Sequence, residues 1–217
     1  MHLRPRPWVR PELMACGFFI DDARDIKGKW RDQFKQQAPL HLELGCGKGS
    51  FIAKLAHRNP QINYLAIDMI DAVLGLSKRN ITAEYQDDPV DNLKLTAWDI
   101  ERIDSILAPE DAIERIYINF CNPWPKRRHF KKRLTHTRQL EHYKAFCVPG
   151  CEIHFKTDSD LLFDASLEYF ETMQFETLYL TRDLHQDNGY PDNIVTEHEK
   201  MFSDQGIPIK MTVVKMP

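Results

Sequence analysis

Residues 40–49 read Leu40-His41-Leu42-Glu43-Leu44-Gly45-Cys46-Gly47-Lys48-Gly49, an apolar run of strand length that ends in an acid and three alternating glycines. A helical pattern follows over 49–58, so the local order is strand, tight turn, helix. Alternate glycines let a ligand approach the backbone where a Cβ would stand in the way. The pattern departs from the dinucleotide fingerprint G-x-G-x-x-G, because Ser50 stands where the third glycine belongs. Lys48 is followed by glycine rather than Ser or Thr, so there is no phosphate cradle either. Glu43, two residues before the first glycine, suits a cationic ligand better than a pyrophosphate.

Outward from this turn, further apolar runs lie at 64–67, 93–96, 113–120, 153–155, 177–180 and 211–214. Helical patterns occupy 70–83, 102–107, 135–146 and 161–173. Strands alternating with helices predict an α/β fold with a mostly parallel sheet covered on both faces. The last run lacks a long crossover, apart from a short helix over 196–203, and is expected to join the sheet edge antiparallel. Before Pro39, residues 22–36 look helical, and residues 1–21, with Pro5, Pro7 and Pro11, read as an extended arm. The expected organisation is an arm and helix over 1–38 and one domain over 39–217.

Ligands in such sheets bind at the carboxyl ends of the strands. The second of these strands ends at Asp68, where a carboxylate can accept both ribose hydroxyls; the third leads into Asp99, and the fourth into Asn119–Asn122. Together with the glycine turn they suggest an adenosine-type ligand stretched across the strand ends.

Charge is unevenly placed. The net charge is −3, but residues 126–138 hold seven Lys/Arg and no acid. Residues 157–204 hold twelve acids against Arg182 and Lys200, and the remainder is neutral. A dense basic block can hold a polyanion without a basic protein around it. The five cysteines are odd in number and form no C-x-x-C pair, which argues for reduced thiols and a cytoplasmic setting. His129, His136 and His142 have no ligand-like partners, so no metal is expected. No apolar run reaches the roughly 18 residues of a membrane span.

The stretch Glu43-x-Gly45-x-Gly47-x-Gly49 resembles the S-adenosylmethionine-dependent methyltransferases of Rossmann-like fold. That resemblance implies seven strands with the last antiparallel. It also implies that Glu43, Gly45, Gly47 and Gly49 face the methionine part, Asp68 the ribose, and Asp99 or its neighbours the adenine.

The most specific stretch is Asn122-Pro123-Trp124-Pro125-Lys126-Arg127-Arg128-His129-Phe130-Lys131-Lys132-Arg133. The prolines stiffen a turn, Trp124 offers a flat face for a base, and the cations that follow, Arg133 included, can hold phosphates. The segment resembles the bacterial tRNA (guanine-N7)-methyltransferase family. Arg6-Pro7-Trp8, Gly28-Lys29-Trp30 in the first helix, Phe155-Lys156-Thr157-Asp158 and Thr196-Glu197-His198-Glu199 extend the likeness over nearly the whole chain. It implies methylation of N7 of a guanosine, position 46 of the variable loop, with tRNA as partner and the enzyme a monomer or homodimer. Lys126, Arg127, Arg128, His129 and Lys131 would contact RNA. Asp158 and the Thr196–Glu199 stretch would contribute to the guanine site, with Asn122 and Asp158 catalytic and Asn122 also beside the cofactor.

The family's usual Asp before Pro-Trp is Asn122 here. A neutral amide cannot take a proton, so an essential general base at this position is excluded. Guanine N7 carries a lone pair and no proton, so attack on a sulfonium methyl needs alignment rather than deprotonation. Asp158 and Glu199 would favour the positive charge that develops on guanine. Structural alternatives remain for two of these groups: Thr196-x-x-Glu199 is also a capping box, and Asp158 could cap the helix that follows it. Two functional alternatives stand beside the main one. The first is an exocyclic-amine methyltransferase (adenine N6 or a glutamine side chain), which Asn122-Pro123 fits but Trp124-Pro125 does not. The second is an RNA-binding relative without catalysis, against which the intact Glu43, Asp68 and Asp99 pattern argues.

Overall fold

The computed structural model describes residues 6–187, 190 and 192–217. The elements are α1 (Val9–Met14), β1 (Phe19–Ile20), β2 (Leu40–Leu44), α2 (Ser50–Arg58), β3 (Asn63–Asp68), α3 (Asp71–Tyr85), β4 (Leu93–Ala97), β5 (Ile113–Asn119), α4 (Thr137–Lys144), β6 (Cys147–Thr157), α5 (Asp160–Thr172), β7 (Glu176–Thr181), α6 (Glu197–Ser203) and β8 (Lys210–Lys215). The strands form one sheet in the order β1-β4-β3-β2-β5-β6-β8-β7. β2 lies between β3 and β5, and the chain winds outward from it in both directions, which opens a crevice at the carboxyl ends of β2 and β5.

Alternation along the strands assigns the faces. Leu40, Leu42 and Leu44 turn to one side with Ile116, Ile118, Ile153 and Phe155, forming the core under α4 and α5. Tyr64, Ala66, Leu93, Leu95 and Tyr117 turn to the other, under α2 and α3. Leu184, Ile209, Met211 and Val213 build a smaller cluster with Phe202 of α6 and Phe120.

The seven apolar runs are all strands, and the α/β architecture is as expected. Five details differ. The last strand, β8, is antiparallel but not at the edge: it pairs with both β6 and β7, and five of its six residues are buried. An eighth strand, β1, adds two residues in parallel register with β4, Phe19 opposite Leu95 and Ile20 opposite Thr96. Residues 9–14, expected to be extended, form α1. Pro11 falls in its first turn, where the missing N–H costs nothing, and Val9 packs against Gly75 of α3 so closely that a Cβ there would meet its methyl at 2.9 Å. The start of the expected arm, residues 1–5 with Pro5, lies outside the described residues.

The helix expected over 22–36 is a loop with one 3-10 turn, Trp30–Gln33. Gly28 takes a positive φ of 76°, which breaks any helix, and a distant acid supplies the missing partners. The Asp111 carboxylate accepts the N–H groups of Gly28 (3.0 Å), Trp30 (2.9 Å) and Ala108 (2.9 Å). The fully buried Trp30 indole donates to the Ile106 carbonyl at 2.7 Å. Similarly, 102–107 is a 3-10 stretch, Ile100–Ser105, rather than an α-helix.

Candidate functional site

A cavity of about 360 Å³ occupies the crevice. The glycine turn, Asp68 and Met69 after β3, Trp98–Glu101 after β4, Asn119–Asn122 and Trp124 after β5, and Thr196–His198 at the start of α6 all line it.

The glycine turn is held from three sides. Gly45 and Cys46 donate to the Ile67 carbonyl at 2.9 and 3.0 Å. Gly47 donates to Asp68 Oδ2 at 3.1 Å, while its carbonyl accepts from the Ser77 hydroxyl of α3. Asn80 donates to the Lys48 carbonyl at 2.9 Å. Gly49 opens α2 with φ +73°, and a Cβ there would strike Ser77 at 2.9 Å, so only glycine fits. A Cβ on Gly45 or Gly47 would instead meet no protein atom within 4 Å, so the turn leaves open space on its cavity side. Sequence reasoning missed Ser77 and Asn80, since nothing local marks them.

Glu43 is the cavity's least satisfied group. It is buried, Oε1 accepts from Asn119 Nδ2 at 3.2 Å, and Oε2 has no hydrogen-bond partner among the described residues. Burial pushes its carboxyl up to about 8, against the opposing pull of Asn119 and Lys156. An orphaned buried acid beside an open glycine cradle fits a ligand that brings a positive charge. Asp68 gives Oδ2 to Gly47 and Oδ1 to the Ile70 N–H (3.0 Å), and burial raises its carboxyl despite these bonds. Asp99, exposed at the rim, accepts from the Glu101 N–H at 3.0 Å.

Asn122 lies on the cavity wall. Its Oδ1 accepts the Trp124 N–H at 3.0 Å, which holds Trp124 at a φ of +43°. That bond needs an acceptor oxygen, which Asp and Asn both provide. Trp124 also lines the cavity, with the His129 ring edge-on at 5.4 Å and the Lys132 ammonium 5.4 Å from its centre. Trp124 is therefore more than a packed core side chain.

The basic strip begins where this wall ends. Lys126, Arg127, Arg128 and Lys131 are exposed, His129 is half-buried, and Arg127–Lys132 form a 3-10 turn. Lys132 pairs with Glu101 at 3.3 Å. Arg133, expected among the phosphate-holding cations, is corrected by the structure: it is 1% exposed and spends its guanidinium on protein. Burial of an arginine inside a basic run is set by tertiary packing and leaves no mark in the sequence.

Thr196, Glu197 and His198 face the cavity, and Glu197 Oε2 meets Lys48 Nζ at 2.7 Å across its mouth. Glu199 does not reach it. Its carboxylate is fully buried and meets Lys156 Nζ (2.8 Å), Asn193 Nδ2 (2.6 Å) and His185 Nε2 (3.2 Å), while Thr196 and Glu199 complete the capping box. The expected electrostatic role toward a substrate therefore falls away for Glu199, which fixes the segment carrying Thr196–His198. Lys156, which the sequence marks only as part of the Phe155–Asp158 motif, also donates to the Ile194 carbonyl at 3.1 Å. Asp158 is half-buried beyond β6 and is not part of the cavity wall; Ser159, not Asp158, caps α5. Among the described residues no three His, Cys, Asp or Glu side chains gather as a metal site would require, and no helix is long and apolar enough to cross a membrane.

Comparison with known proteins agrees with this geometry. The family model Methyltransf_4, a methyltransferase, matches residues 37–212. The chain is 56% identical to a tRNA (guanine-N(7)-)-methyltransferase of Clostridium perfringens, with 99% of each chain covered. A protein of the same name from Acetivibrio thermocellus is 48% identical, again over 99% of each. Among solved structures, the 16S rRNA methyltransferase KamB superposes with a TM-score of 0.61 at 14% identity, covering 86% of this chain and 90% of that one. A 16S rRNA (adenine(1408)-N(1))-methyltransferase solved with cosubstrate SAM gives 0.60 at 12% identity, covering 89% and 91%. At these identities the two structures speak for the fold alone.

Proposed function

The chain belongs to the tRNA (guanine-N(7)-)-methyltransferase family, and from that premise we propose that it transfers a methyl group from S-adenosylmethionine to N7 of a guanosine in tRNA. The observation that carries this reading is the continuity of wall and strip. The Asn122-Pro-Trp-Pro turn closes the cavity that holds Glu43, Asp68 and Asp99, and the chain leaves it directly as exposed Lys126–Arg128 and Lys131.

Glu43, the glycine turn, Asp68 and Asp99 are the residues that would hold S-adenosylmethionine, which when bound supplies an electrophilic methyl on a positively charged sulfur. The orphaned Glu43 oxygen and the open glycine cradle fit it. N7 has no proton to lose, so no side chain need act as a base, and Asn122 suffices where a carboxylate is usual. What the protein supplies is alignment: a rigid turn, a flat Trp124 face and a cavity that holds two reactants in line. Glu43 and Asp68 favour positive charge in that cavity, where the reaction moves such charge from sulfur to the base.

Two outcomes are expected of variants. Asn122→Ala lowers turnover about fivefold to tenfold, because both the wall amide and the Trp124 anchor disappear, whereas Asn122→Asp retains activity because the anchor oxygen remains. Steady-state kinetics decides this, and a dead Asp variant would show that the neutral amide is required. For tRNA, log K should fall with log[salt] at a slope of roughly −3.6 for four phosphate contacts, about 0.9 for each. Lys126→Ala should flatten that slope while leaving cofactor affinity unchanged in calorimetry; equal loss of both would remove the lysine from the RNA face. The reaction itself is tested by methyl transfer from labelled S-adenosylmethionine to unmodified tRNA, followed by chemical cleavage at N7-methylguanosine. Cleavage at one variable-loop position, expected at 46, supports the assignment; methylation of an exocyclic amine, of DNA or of protein overturns it.

A further inference from the structure

Arg133 is buried against the Asn122–Pro125 turn and is not among the residues that line the cavity. Its Nε donates to the Pro123 carbonyl at 3.0 Å, Nη2 to the Trp124 carbonyl at 3.4 Å, and Nη1 to the Tyr169 hydroxyl at 3.3 Å. The Phe130 ring lies 3.8 Å from the guanidinium carbon. Among the described residues all its hydrogen bonds go to neutral oxygens. Burying a guanidinium without a carboxylate is expensive, and a chain that wanted only packing would do better with an apolar side chain. What the planar fork offers is simultaneous reach to two carbonyls of one turn in a fixed geometry, with a further N–H left for Tyr169.

The turn needs that reach. Trp124 sits at positive φ, which a bulky residue adopts only when its surroundings enforce it. Asn122, which lines the cavity, takes the Trp124 N–H on its Oδ1, and Arg133, which does not, donates to the Pro123 and Trp124 carbonyls. Side chains thus hold both the N–H and the carbonyl of Trp124, and the indole that lines the cavity has its backbone fixed on either side of its Cα.

We propose that Arg133 is a positioning residue for methyl transfer, clamping the Pro123 and Trp124 carbonyls so that Asn122 and Trp124 present the base-facing wall in one geometry. This rests on the proposed function, and extends it to a residue of the basic run that touches no RNA. The clamp predicts an effect on turnover with little effect on binding, since neither the phosphate-facing strip nor the glycine turn depends on it.

The test uses Arg133→Met and Arg133→Lys in the full chain. Single-turnover methyl transfer, KM for tRNA, cofactor Kd by calorimetry and the salt slope of tRNA binding are measured for each, beside wild type and Arg127→Ala. Expected is a fall of about tenfold in the rate for both variants, Lys included because one ammonium nitrogen cannot reproduce the fixed planar spacing of Nε and Nη2 on the Pro123 and Trp124 carbonyls. KM and cofactor Kd should stay within about twofold and the salt slope should be unchanged. Arg127→Ala should lower the slope by about 0.9, the mark of one lost phosphate contact. A comparable loss of slope in the Arg133 variants would make it a phosphate contact and overturn the proposal. So would an unchanged rate, or loss of cofactor affinity or folding in both variants, which would make it a general structural residue. Wild type that fails to methylate tRNA would instead sink the proposed function, so the two failures are distinct.

Discussion

Glu199→Leu is expected to lower the unfolding free energy by about 3–5 kcal/mol, the cost of stranding a buried charge. The Lys156 side chain is 4% exposed and that of Glu199 not at all, and Lys156 Nζ lies 2.8 Å from Oε2. Burial already pulls the Lys156 ammonium below its ordinary range, and the Glu199 carboxylate is what opposes that pull. Removing the acid leaves Lys156, among the described residues, with the Asn193 amide oxygen and the Ile194 carbonyl as hydrogen-bond partners. It also leaves the Thr196 end of α6 without its capping partner. The paired variant Lys156→Met with Glu199→Leu should recover most of the loss, because the desolvated charges go together. Urea unfolding of the two variants beside wild type measures this. A single-variant cost below about 1 kcal/mol would show that the pair is hydrated and the argument wrong. Because Thr196, Glu197 and His198 line the cavity from the same helix start, cofactor affinity should fall with Glu199→Leu and return in the pair.

These buried groups also mark how far the sequence could be read. Strand runs, the glycine turn, Asp68 and Asp99 are legible because their signals are local: an apolar run ends, and a polar or glycine residue follows where a parallel sheet binds ligands. Arg133 and Glu199 are not legible that way. Each sits in a stretch whose composition says exposed, a basic run and an acidic one, and each is buried by a partner far away in sequence or on another element. The misread 22–36 segment has the same origin. Its apparent helical pattern is overridden by the Asp111 carboxylate, some 80 residues away, and by a glycine at positive φ. The placement of β8 inside the sheet rather than at its edge depends on β7 reaching past it, a pairing that no local pattern encodes. Capping motifs fared differently: Thr196-x-x-Glu199 is a capping box, yet the same acid also neutralises Lys156, so neither the structural nor the functional interpretation alone describes it.

The second large effect concerns pH. Burial raises the Glu43 carboxyl to about 8, so in the free protein it is protonated through most of the neutral range. A positively charged ligand in this cavity favours the carboxylate, and binding must therefore expel the proton. Below pH 8 the apparent Kd carries that cost, and falls about tenfold for each unit of rising pH until it levels above 8. Stability runs the other way. For a carboxyl raised above its unfolded value of 4.5, the folded state gains nothing from ionisation, so stability is fullest below 4.5 and declines as pH rises towards 8. The two trends separate ligand linkage from simple loss of fold. Calorimetry of S-adenosylmethionine binding at pH 7, in two buffers of different ionisation enthalpy, should show roughly 0.9 more protons released by wild type than by Glu43→Gln. The ligand's own α-amino group titrates equally against both proteins and cancels in that difference. Glu43→Gln should also bind about tenfold to a hundredfold more weakly at pH 8.5, where wild type has its carboxylate ready, and lose the pH dependence below it. Equal proton release by the two proteins would mean that Glu43 is already ionised in the free cavity. The orphaned Oε2 would then be answered by hydration and not by the ligand's charge.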